Sequence, residues 1–304
     1  VAGMVRDIAF VTPAPDISAR DYWVTIDAQQ EQFKLSRVSL RFDPSVNRLR
    51  GTTTNVARMA LDVRQMGATG PMSIDIDSVS IAGVTAQGGD SLVWLYRAGN
   101  AWQQGAAPPP DLKGRIRYGS FKNLFRNDVL FVYGTGGTAE EQAWAFNKAR
   151  FDAERFWYQG NGSIEVVSDA EFSAARGQDR NIVLYGNSGT NSAWNPLLGS
   201  GPIDAHDGGM RLGERTFAGE DLGYVFIRPR QGSSVACVGA VGGTGIRGMR
   251  LTDRMPYLLP GVAFPDLIIA RSSLLSQGES GIAATGFFGL DWSVSQGEFV
   301  FGEP

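Results

Sequence analysis

Short bursts of alternating apolar and polar residues fill the early part of the chain. "YWVTIDA", "SRVSLRFD", "VARMALDVR", "MSIDIDSVSIAG" and "SLVWLYRAG" are each bounded by Gly, Pro, Asn or Asp. A side-chain period of two puts one face of each burst on a core and the other in water, and the closely spaced turns reverse the chain after each. The pattern predicts an all-β, sandwich-like domain. In "SIDIDSVSI", Ile74, Ile76 and Val79 fall on the core side or its edge. Asp75 and Asp77 point outward, either as a solvated face or as a carboxylate pair for calcium.

The pattern changes near residue 110. "QQGAAPPPDLKG", residues 103–114, ends its apolar content in three consecutive prolines, which cannot continue a ladder and favour extended polyproline backbone. A linker there divides the chain into residues 1–110 and 111–304. Beyond it, "DVLFVYGTGGTAEEQAWAFNKARFDAERFWYQ" reads as an apolar strand, a Gly/Thr turn and a long helix. Thr138 is its N-cap, and Glu140 and Glu141 sit where the helix dipole favours acid. Ala143, Phe146, Arg150 and Ala153 fall on one stripe of that helix, with Trp144, Phe151 and Phe156 widening it. Further strands follow in "GSIEVVSD", "RNIVLYGN", "DLGYVFIRPR", "SVACVGAVGG", "DLIIARS" and "GIAATGFFG". Strands alternating with helices predict a doubly wound, flavodoxin- or Rossmann-like parallel sheet.

Composition narrows the partners. A length of 304 residues suits two cores, and a net charge of −3 with no basic run excludes an electrostatic footprint for nucleic acid. No apolar stretch reaches the roughly 20 residues that span a bilayer, so no membrane partner is expected. Cys237 is the only cysteine and lies in an apolar run, as a small buried hydrophobe, so no disulfide forms within the chain. The first residue is Val1 and no signal-peptide pattern follows it, which leads us to expect that a leader, a tag or a preceding domain has been removed.

Three glycine loops share a position in the pattern: "YGTGGT" (133–138), "YGNSGTNSAW" (185–194) and "VGGTGIRGM" (241–249) each follow an apolar strand. In an open parallel sheet such loops collect at the carboxyl ends of the strands and face one crevice. Thr135, Gly136, Ser188, Asn191, Thr244 and Gly245 are therefore the candidate ligand-binding residues, with Arg247 supplying positive charge. Their backbone and hydroxyl groups suit a phosphate, a carboxylate or a sugar hydroxyl. Gly243, Gly245 and Gly248 spell G-x-G-x-x-G, but a dinucleotide fingerprint opens its domain and is followed by an acid after the next strand. Here the motif comes late, Asp266 precedes "LIIA", and Pro256 interrupts the following helix. These glycines read as a tight strand-to-helix turn, with or without a small anion at the helix N-terminus.

Catalytic patterns fare no better. No Gly-Lys-Ser/Thr follows any of the loops, and no G-x-S-x-G occurs; Gly186-Asn-Ser188-Gly and Gly278-Glu-Ser280-Gly lack the second glycine at the required spacing. His206 is the only histidine, in the loop-like "PIDAHDGG", and a triad of Ser188, His206 and Asp207 has neither hydrolase order nor spacing. One histidine and one cysteine make a poor zinc set. Scattered acids nominate no glycosidase pair. No cofactor, metal or catalytic residue is assigned.

The succession "TTTNVARMALDV", "GSFKNLFRNDVLFVYGTGG", "ARFDAERFWYQGNGSIEVVSD", "RNIVLYGN", "GEDLGYVFIRPR", "VGGTGIRGMRLTDRMPYLLPGVAFPDLII" and "GFFGLDW" resembles the C-terminal half of large bacterial prolyl-oligopeptidase-like serine hydrolases. The resemblance covers nearly the whole chain and is strongest over residues 115–292. It implies an α/β-hydrolase domain with the Ser-Asp-His machinery upstream of Val1, and export to the periplasm or outside the cell. It carries over no catalytic residue. The expected function is a noncatalytic accessory portion that packs on the hydrolase domain and shapes access to its site. The alternative is a module that binds a small anion or sugar in the glycine-loop crevice.

Overall fold

A computed structural model describes residues 4–302 except positions 88, 174 and 176. It divides into two compact units, Val1–Tyr118 and Gly119–Pro304. Among the described residues the protein is a mixed α/β chain, with many strands in several sheets and few helices.

The first unit contains β1 (Asp7–Thr12), β2 (Arg20–Asp21), β3 (Val24–Ala28), β4 (Ser36–Asp43), β5 (Arg48–Thr54), β6 (Arg58–Asp62), the single turn α1 (Val63–Met66), β7 (Met72–Ile76), β8 (Val79–Val84), β9 (Leu92–Ala98) and β10 (Ala101–Gly105). They form two five-stranded sheets, ordered β1-β4-β5-β7-β8 and β10-β9-β6-β3-β2. Pairing is antiparallel except between β5 and β7. The alternation seen in the sequence sets which side chains go inside: in β4, Ser36, Val38, Leu40 and Phe42 are buried while Arg37, Ser39, Arg41 and Asp43 are exposed. Val38, Leu40, Ile74 and Ile76 of one sheet and Val24, Ile26, Met59 and Leu95 of the other belong to a single core.

Two expectations change here. Asp77 does not face open solvent: in the left-handed turn after β7 (φ 52°) it accepts from the backbone N–H of Thr53 at 2.7 Å, from Arg97 at 2.5 Å and from Trp102 Nε1 at 3.0 Å. It therefore joins β5 of one sheet to β9 and β10 of the other. Asp75 pairs with Arg48 on the neighbouring strand. Both carboxylates are held by protein donors, and the calcium pairing is not retained. The proline-rich segment 103–114 also differs from a free linker, since it begins inside β10 and Lys113 is fully buried. The Lys113 carbonyl accepts from Arg58, whose Nε donates to buried Asp27 at 2.5 Å, and Asp27 also accepts from the Arg115 N–H at 3.3 Å.

The second unit contains β11 (Val129–Tyr133), α2 (Ala139–Gly160), β12 (Glu165–Ser168), β13 (Asn181–Tyr185), α3 (Trp194–Leu198), β14 (Ile203–His206), β15 (Gly209–Leu212), β16 (Arg215–Ala218), β17 (Gly223–Pro229), β18 (Cys237–Gly243), α4 (Ile246–Leu251), β19 (Leu267–Ala270), α5 (Leu274–Gln277), β20 (Ile282–Phe287) and β21 (Glu298–Phe301). Its main sheet has eight strands, ordered β12-β11-β13-β18-β17-β19-β20-β21, and β14-β15-β16 form a small sheet of their own. Only β12, β11, β13 and β18 run parallel. From β17 onward every pairing is antiparallel. The sheet is thus mixed, not parallel throughout. The cause is connection length: residues 230–236 between β17 and β18 are too few for a parallel crossover, which takes a dozen or more.

Helix α2 starts as its sequence dictates. Thr138 and Glu141 form a reciprocal capping box. Its buried face is another matter: Glu141, Trp144, Ala145, Lys148, Ala149 and Asp152 point inward, while Phe146 and Phe151 are exposed. Of the apolar stripe read from the sequence, Trp144 is buried and Ala153 and Phe156 pack against the core, whereas Phe146 and Phe151 turn outward and a buried ion pair, Lys148 with Asp152 at 3.0 Å, takes part of the inner face.

Candidate functional site

The parallel order β12-β11-β13-β18 brings the three glycine loops to the same end of the sheet, as the crevice argument requires. Loops one and two are joined directly: the Gly136 N–H donates to the Thr190 carbonyl at 2.9 Å, and Asn191 Nδ2 donates to the Val132 and Tyr185 carbonyls at 3.0 and 3.1 Å. Loops two and three are joined by Asn187, whose Nδ2 donates to the Gly243 carbonyl at 3.0 Å and to Asp207 at 2.8 Å.

Most of the polar groups expected to meet a ligand bond within the chain. Thr135 donates through both its backbone N–H and its hydroxyl to Oδ1 of buried Asp169, at 3.0 and 2.7 Å. The Asp169 Oδ2 takes the Ser192 N–H at 2.6 Å. The Ser188 N–H donates to the Ala205 carbonyl at 2.8 Å, and the fully buried Thr244 donates its hydroxyl to the Gly219 carbonyl at 2.6 Å. Gly245 caps the six-residue α4, and Arg247 stands exposed on that helix. The N-terminus of α2 already carries an anion of its own, because the Glu141 carboxylate accepts from the Thr138 N–H at 2.8 Å. Five of the seven residues thus sit in one brace of loops, while Gly245 and Arg247 lie beyond it on α4. Nothing in the apolar pattern singles out Asp169 or Asn187, which do most of the joining; their signal is position, each lying within two residues of a strand's carboxyl end.

The glycines of the G-x-G-x-x-G stretch answer to packing. A Cβ on Gly243 would lie 2.2 Å from the Met249 nitrogen, and one on Gly248 would lie 2.0 Å from the Leu222 carbonyl oxygen. They let α4 press on β17 and β18. Pro256 falls beyond the end of that helix.

Under α2 lies a second polar cluster. Asp152 is fully buried and accepts from Lys148, from the Tyr185 hydroxyl at 3.1 Å and from the Tyr257 hydroxyl; Lys148 also reaches Asp253 at 3.1 Å. Burial pushes the Asp152 carboxyl above its ordinary range against the pull of Lys148, and burial together with Asp152 pushes both phenols well above theirs. The Lys148/Asp152 spacing of one helical turn is the only sequence sign of this cluster.

The opposite face of α2 is aromatic. Phe151, Trp157 and Tyr158 are 52%, 57% and 74% exposed, with Phe146 beside them. Trp157 and Tyr158 rings lie 5.1 Å apart, and Arg150 and Arg155 lie over Phe146 and Phe151. His206, the only histidine in the chain, is exposed on β14 and meets its neighbour's carbonyl, that of Asp207, at 2.9 Å.

No family model matches the chain. A stretch of 79 residues, 26% of the chain, is 30% identical to an uncharacterized secreted protein of Arthroderma benhamiae and covers 8% of that protein's length. Among the described residues no helix is long and apolar enough to cross a membrane.

Proposed function

We propose that this chain is a noncatalytic accessory portion of a larger, secreted serine hydrolase of the prolyl-oligopeptidase-like kind, docking through the outer face of α2 on an upstream α/β-hydrolase domain and shaping access to its site. The observation that carries this reading is the set of exposed aromatic side chains on α2, with the Trp157 and Tyr158 rings in contact, since exposed apolar surface of this kind marks an interaction face. In finer terms, the first unit is a β-sandwich-like domain. The second is Rossmann-like in its parallel half and extended by antiparallel strands. A periplasmic or extracellular location accords with the secreted relative. The glycine loops offer an anion few donors, because those of Thr135, Gly136, Asn191 and Thr244 already have acceptors inside the chain.

The test uses the native reading frame. The upstream domain and this chain are produced separately and together, and hydrolysis of p-nitrophenyl acetate and a proline p-nitroanilide is followed. The chain alone is expected to turn over neither substrate. A Trp157→Ser/Tyr158→Ser variant should weaken association with the upstream domain by about tenfold or more, as loss of aromatic anchors does at interfaces. Turnover by this chain alone that disappears in Ser188→Ala refutes the proposal.

A further inference from the structure

A cleft of about 810 Å³ opens in the second unit between the β15–β16 turn and β21, a volume in the range of small-molecule sites. Its apolar walls include Val294, Phe299 and Phe301. Arg228 of β17 reaches it from below. The Arg228 guanidinium lies 4.4 Å from the Phe288 ring centre and 6.0 Å from that of Trp292, and its Nη1 donates to the Trp292 carbonyl at 2.5 Å. Among the described residues no carboxylate stands within ion-pair distance of it. The acids nearest in effect, Asp266 and Asp291, are engaged elsewhere: Asp266 accepts from the Ser120 and Phe288 N–H groups, and Asp291 from Ser293. Burial holds the guanidinium down at about 10, against those two carboxylates, so it remains a cation at neutral pH.

Among the described residues Nε and Nη2 make no hydrogen bond, so the Arg228 edge that matches a carboxylate bidentately has no partner within the chain. A second cation, Arg215, lines the same cleft, stacked on Phe301 at 4.0 Å. Both arginines lean on rings where a structural arginine would be met by an acid. Glu214 and Asp291 also line the cleft, so its formal charge is balanced and a bare anion such as phosphate, which cannot use the apolar walls, gains little there.

We propose that this cleft binds a small organic monocarboxylate with a hydrophobic body, the carboxylate held by Arg228 and Arg215 and the body lying against Phe299, Phe301 and Val294. The site requires nothing of an upstream domain, and it is distinct from the glycine loops.

Calorimetric titration of the whole chain with 3-phenylpropanoate, 3-phenylpropanamide and inorganic phosphate tests it. The acid should bind about tenfold or more tightly than its amide, the increment of a charge-assisted bidentate pair, and phosphate should not compete. Arg228→Gln should lose that about tenfold, and the exposed Arg215→Ser should weaken binding about threefold. If Arg228→Gln does not fold, the acid-to-amide ratio and Arg215→Ser decide. Equal binding of acid and amide, no binding of either, competition by phosphate, or wild-type affinity in both arginine variants overturns the proposal.

Discussion

A methyl group on Gly248 would sit 2.0 Å from the carbonyl oxygen of Leu222, a backbone atom with no rotamer to relieve the contact. Gly248→Ala should therefore cost about 3 kcal/mol, the upper range for forcing volume into a packed interior, seen as a lower urea midpoint at unchanged slope. Its neighbour Arg247 points into solvent, and Arg247→Ala should stay within about 0.5 kcal/mol of the parent. The same stretch thus separates packing from binding: a large loss at Arg247 would mean that the motif serves a charge after all. Asp169 makes a comparable case from polarity. It accepts three hydrogen bonds while buried, so Asp169→Ala leaves Thr135 and Ser192 donors without their acceptor and should cost about 3 kcal/mol.

At the scale of elements, the start of α2 was legible and its orientation only in part. Thr138 and Glu141 stand three residues apart as a capping box must, and no tertiary information is needed to read them. Part of the packing face is taken by Lys148 and Asp152, polar residues whose burial is compensated by each other and by two phenols. A scale that puts charge outside misplaces that part. Asp152→Ala should therefore cost about 3 kcal/mol by leaving buried Lys148 with only the exposed Asp253, and the two phenols without their acceptor, whereas Lys148→Met with Asp152→Leu should recover part of that, leaving only the phenols unsatisfied. Equal losses in the single and double variants would show that the pair is not coupled. Strand existence was legible from apolar runs in β11, β13, β17 and β18. Strand direction was not, because a fully buried run looks alike either way; the short 230–236 connection carried that information. The four-residue strands β14 and β15 lack the consecutive apolar residues that marked the equally short β12 and β19.

Across the whole molecule, each unit has a hydrophobic core of its own, and the division falls between Tyr118 and Gly119 because residues up to Tyr118 bond back into the first unit. Tyr118 donates to Gln29 at 2.8 Å, and Arg117 to the Pro110 carbonyl at 2.6 Å. Prolines mark a change of composition; buried hydrogen bonds mark where the fold changes hands. Trypsin should accordingly cut after exposed Arg115 and spare buried Lys113, as peptide mapping would show. Acid offers a sharper test of separate cores. In the first unit the Arg48 and Ser80 hydrogen bonds hold the Asp75 carboxyl down at about 2, from an ordinary value of 3.8. For Asp77, burial pushes upward but the bonds from Thr53, Trp102 and Arg97 outweigh it, so it too lies below the usual range. A depressed folded-state value means that the unfolded chain takes up protons first, so the stability Asp75 contributes is present above about pH 4 and is lost as pH falls toward about 2, and that of Asp77 is likewise lost in acid. Calorimetry at pH 6 should resolve two transitions, with Asp75→Asn lowering only one of them. The gap between wild type and variant should shrink below pH 4 and be largely gone by about pH 2, where the wild-type carboxyl is itself being protonated. A single transition, or a gap that persists unchanged into acid, would show respectively that the two cores melt as one or that Asp75 contributes through something other than its charge.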